Sequence, residues 1–118
     1  MKYILTFIVI PFILSGQIEK DIFTMFYNVE NLFDTINDPM KSDNEFLPES
    51  EKAWNSKKYN QKINQLSKVF STINHGHQPN LIGLCEVENK VVIQDLLKNS
   101  FFENNSYTII HNNSPDNR

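Results

Sequence analysis

The chain has 118 residues, a formal net charge of −3, 40% hydrophobic residues and 21% charged residues. That acidic balance excludes the broad basic footprint through which many proteins hold nucleic acid by counterion release, but it leaves room for an enzyme that neutralises substrate phosphates with bound cations. Cys85 is the only cysteine, so no intramolecular disulfide forms and the core rests on apolar burial.

Residues 1–16 read as an export signal. Lys2 supplies a short positive start, residues 3–14 form an apolar run broken only by Thr6 and Pro11, and Ser15 and Gly16 suit cleavage before Gln17. At about twelve residues the run is too short for a membrane span, which needs roughly 20. A buried first strand is the other reading of the same run. No cysteine adjoins the cleavage point to carry a lipid, so no stable membrane anchor is expected. The mature domain is then residues 17–118, in a secreted or periplasmic location.

Residues 22–27 (IFTMFY) are β-branched and aromatic without polar alternation, the pattern of a strand buried on both faces. Asn28 follows at once. Residues 34–56 are polar, with Pro39 and Pro48, and predict a long functional loop that Phe46, Leu47 and Trp54 pin to the body. Tyr59, Ile63, Leu66, Val69, Phe70 and Ile73 then recur at helical spacing, with Ser56 as N-cap and Gly76 and Pro79 as the stop. Residues 81–85 (LIGLC) predict a second buried strand, followed directly by Glu86. A short helix over 91–97 and a third strand over 107–110 complete the order. Strand, helix, strand, helix, strand predicts an α/β layered sheet with a right-handed crossover between parallel strands. Asn28 and Glu86 then emerge at neighbouring carboxyl ends, where open α/β sheets place their ligands.

An amide and a carboxylate in one crevice offer hard oxygen donors suited to Mg²⁺ or Mn²⁺. Such an ion polarises a phosphoryl oxygen or assists the attacking water. On spacing alone, an Asx-turn asparagine and a glutamate that merely starts a loop explain the same residues.

The surrounding words are more specific. FYNVENLFD at 26–34, EFLPE at 45–49, LIGLCEVENK at 81–90 and SPDNR at 114–118 occur in this order. Together they resemble the start of bacterial members of the endonuclease/exonuclease/phosphatase superfamily, from about residue 22 to residue 118. The resemblance implies the N-terminal part of a two-sheet α/β sandwich of the deoxyribonuclease-like type. It also implies a Mg²⁺- or Mn²⁺-dependent phosphoester hydrolase, with an exported endonuclease as the leading reading. By it, Asn28 matches the first-motif asparagine that helps bind metal and orient phosphate. Glu86 matches the metal-binding glutamate, and Arg118 lies where an arginine stands near the substrate. The family's downstream aspartate–asparagine pair and general-base histidine have no counterpart in these 118 residues, and neither does the second sheet that covers the first. This stretch alone is therefore expected to be catalytically silent and marginally folded, with one face of its apolar strands bare.

Other polar residues carry simpler readings. Glu30 and Glu88 are expected to be solvated loop carboxylates, and His75 and His77 sit in a Gly-Pro turn with no third ligand in sight. His111 reads as a polar strand end, Cys85 as a small buried hydrophobe, and Trp54 and Tyr59 as loop or core anchors. The expected partner is nucleic acid or another phosphodiester, and no obligate protein partner is evident. Two alternatives remain open: a lipid or sugar-phosphate phosphoesterase of the same fold, and a non-catalytic secreted remnant domain.

Overall fold

The computed structural model describes residues 21–102 and 106–114. The expected export signal at 1–16 and Arg118 lie outside the described residues. Within them are two parallel strands, β1 (Thr24–Leu32) and β2 (Leu81–Val87), and two helices, α1 (Ser56–Thr72) and α2 (Lys90–Leu97). The α/β class and the parallel pair agree with the sequence pattern; a closed two-sheet sandwich is not seen among the described residues.

Asn55, rather than Ser56, caps α1: its side-chain oxygen accepts from Lys57 N at 3.1 Å and Lys58 N at 3.2 Å. The buried stripe of α1 is Tyr59, Ile63, Leu66, Ser67 and Phe70. Val69, expected on that face, is exposed, and Ser67 lies on it instead, its hydroxyl donating to Asn99 Oδ1 at 2.6 Å. The helix stops where Asn74, His75 and Gly76 take left-handed backbone angles. Asn89 caps α2 in the same way as Asn55, accepting from Val91 N and Val92 N, and Val92 and Leu96 turn inward. Phe70 meets Tyr27 and Phe102 edge-on, with centroids 5.3 and 6.0 Å apart, which joins helix, sheet and the segment after α2 in one core.

The strands have the apolar pattern of two-sided burial, and one face is bare among the described residues, as expected for this stretch: Met25 and Val29 are covered, whereas Phe26 is 77% and Leu81 63% exposed. Both helices contribute to a core on the first face, and no described element covers the second. One expectation, the third strand, needs correction. Residues 107–110 form no strand. Side chains rather than a backbone ladder hold the segment, the Tyr107 hydroxyl donating to Pro79 O at 2.6 Å and its ring meeting Phe102. It borders an apolar groove of about 410 Å³ lined by Phe70, Ile82, Leu84, Leu96 and Ile109.

β1 runs past Asn28 through a bulge, and the bulge has a clear physical cause. Met25, Tyr27 and Val29 occupy one face at the two-residue period of a strand. Leu32 is also fully buried, three residues after Val29 and therefore out of phase. Glu30 (φ 54°) and Asn31 (φ 62°) absorb the difference, and the four steps from Asn28 to Leu32 stand opposite the two from Cys85 to Val87.

Candidate active site

The bulge brings together the residues singled out from the sequence. Asn28 pairs with Cys85 across the sheet, one position short of Glu86. Strict alternation would send Glu86 to the helix side with Ile82 and Leu84. Its left-handed φ of 62° breaks that alternation, and its carboxylate meets Asn28. Asn28 Nδ2 donates to Glu86 Oε1 at 2.7 Å, and the backbone N–H of Asn31 donates to Glu86 Oε2 at 3.1 Å. The orientation of the Asn28 amide follows from the network. Glu30 N can only donate, and it does so to Asn28 Oδ1 at 2.7 Å, so the amide nitrogen faces Glu86.

Both carboxylate oxygens of Glu86 are thus fixed by N–H donors, yet each keeps a further lone pair and the side chain is exposed. A hard divalent cation that keeps most of its waters fits one such carboxylate. Among the described residues no group of three or more His, Cys, Asp or Glu is arranged to hold a metal ion. The described residues therefore present a fixed carboxylate rather than a closed cage.

Two features went unnoticed in the sequence. Lys62 of α1 donates from Nζ to Glu30 O at 2.6 Å, at the turn of the bulge. Burial pulls its pKa down, against the fields of Glu30 and Glu86, which act to raise it. The other feature is the Asn31 amide, a backbone donor that no residue type advertises.

Glu88, expected to be solvated, is buried. It accepts from Asp34 N at 2.8 Å. Burial foremost, with the charges of Asp34 and Asp43, pushes its pKa up to about 7 against the Asp34 N–H and Lys41. Asp43 is buried as well, its Oδ2 accepting from Asp38 N at 2.8 Å. Glu88 is therefore part of the support beneath the 34–43 loop. Cys85 is half-buried, its Sγ 3.8 Å from Tyr27 O. Trp54 and Tyr59 act as anchors: Trp54 Nε1 donates to Phe33 O at 3.1 Å, and the Tyr59 hydroxyl donates to Asp95 at 2.9 Å. Phe46 stacks on Phe33 at 4.1 Å and pins the long loop.

The described residues thus form an α/β unit that sets a fixed carboxylate and an amide side by side toward the carboxyl ends of two parallel strands. The profile of the Endonuclease/Exonuclease/phosphatase family matches residues 23–118, and the chain belongs to that family. Searches of curated proteins and of solved structures each return no match. Membership places the chain in a broad class of phosphoester hydrolases. Among the described residues, no helix is long and apolar enough to cross a membrane.

Proposed function

We propose that this chain supplies the first metal-binding element of an exported, Mg²⁺- or Mn²⁺-dependent phosphodiesterase that acts on nucleic acid. The observation that carries the reading is the carboxylate of Glu86, fixed by Asn28 Nδ2 at 2.7 Å and Asn31 N at 3.1 Å at the strand ends. Glu86 would hold the cation through a lone pair that the two donors leave open. When bound, the ion supplies charge stabilisation for the phosphoryl oxygens. Asn28 spends one Nδ2 proton on Glu86, and its second is the donor proposed for a substrate phosphoryl oxygen. Arg118 is proposed to grip a phosphate with its planar fork, a role supported by the family resemblance of residues 114–118.

Titration of the chain with Mn²⁺, followed by electron paramagnetic resonance, tests the metal role. The expected result is saturable binding that Glu86→Gln abolishes. In the protein carrying this chain, cleavage of a phosphodiester is expected to stop with chelator, return with divalent metal and fail in Glu86→Gln. Unchanged binding and rate in that variant would refute the assignment.

A further inference from the structure

The bulge that holds Glu86 is itself held from outside the sheet. Lys62 follows Tyr59 by three residues and precedes Ile63, at the flank of the buried stripe of α1. Its stem is half-buried, and its ammonium reaches the carbonyl of Glu30 at 2.6 Å. Glu30 and Asn31 both occupy left-handed backbone, a conformation that is costly for a non-glycine residue and persists only where surrounding contacts enforce it. The peptide unit that Lys62 grips is the one joining Glu30 to Asn31. Its carbonyl faces Lys62, and its N–H is the donor to Glu86 Oε2. One planar group therefore carries both contacts, so restraining its oxygen restrains the direction of its N–H.

We propose that Lys62 is a positioning residue for Glu86, acting through the Glu30–Asn31 peptide plane to aim the N–H that orients the carboxylate. The proposal concerns geometry, and its metal-binding readout rests on the proposed role of Glu86. The sign of the effect separates it from the plain alternative. A lysine that is only a nearby positive charge repels a divalent cation, and removing it tightens binding. A lysine that aims the carboxylate loosens binding when removed.

The test uses Lys62→Met, which keeps the stem and loses the donor, Lys62→Arg, which keeps a donor, and Lys68→Met, an exposed change of equal charge on the same helix. Mn²⁺ affinity and the hydrogen exchange of the Asn31 amide, referenced to the Leu66 amide in α1, are read for each. Loss of one hydrogen bond of ordinary net strength predicts a roughly five-fold weaker Mn²⁺ affinity in Lys62→Met. Lys62→Arg should restore most of it and Lys68→Met should leave it unchanged. Asn31 exchange should quicken in Lys62→Met while Leu66 stays protected. Equal or tighter Mn²⁺ binding in Lys62→Met overturns the proposal, as does unchanged Asn31 exchange. If the unaltered chain binds no Mn²⁺, the metal role of Glu86 fails, and Asn31 exchange still decides whether Lys62 aims the peptide plane.

Discussion

Asn31 holds Glu86 with its backbone and not with its side chain, through an N–H···Oε2 bond of 3.1 Å across 55 residues of sequence. The side chain at position 31 is then free to change so long as the left-handed backbone survives. Asn31→Gly is expected to keep Mn²⁺ affinity, since glycine adopts φ near 62° without strain. Asn31→Val should lose it, because a β-branched residue resists that region. Equal affinities in the two variants would mean that the bulge does not position Glu86.

Glu88 makes stability depend on pH in an unusual direction for a carboxylate. Its pKa is pushed up to about 7, mainly by burial, from an ordinary 4.5. Between those values the folded chain binds more protons than the unfolded chain, so this group's contribution is fully present below about pH 4.5 and is lost as pH rises through 7. Glu88→Gln, which stays neutral and can still accept from Asp34 N, should flatten that dependence. Urea midpoints at pH 5 and pH 8, in chelator, would show it; a parallel pH dependence in variant and parent would count against the burial of a charged Glu88.

The Tyr59–Asp95 bond ties α1 to α2 at 2.9 Å. Tyr59→Phe keeps the ring in the core and removes the bond, at an expected cost of about 1 kcal/mol. Denaturant unfolding measures this directly. Asp95→Asn should cost less, since its amide oxygen still accepts from the hydroxyl.

Export is tested at the other end of the chain. Protein recovered from the periplasm or medium should begin near Gln17, as the apolar run at 3–14 implies. Intact Met1 on soluble cytoplasmic protein would overturn the proposal.

What the sequence determined by itself was local. Continuous apolar runs at 22–27 and 81–85 marked two strands, helical spacing from Tyr59 to Phe70 marked the helix between them, and the helical crossover made those strands parallel neighbours. Asn28 and Glu86 were legible because each directly follows such a run. Tertiary structure alone decided the rest. Among the described residues one face of the sheet is bare, because burial depends on which layers cover a strand; the apolar runs state only that both faces suit burial. The 107–110 run has strand-like residues, but a strand needs a partner for its backbone, and pairing is settled in space. Lys62 on a helix and Glu88 in a loop both carry the letters of solvated surface. Lys62 meets Glu30 and Glu88 is buried against Asp34 only after the chain between residues 34 and 81 has folded back. The bulge depends on the same closure: Leu32 must reach the core while the Asn31 N–H reaches Glu86, and the left-handed turn at Glu30 and Asn31 satisfies both.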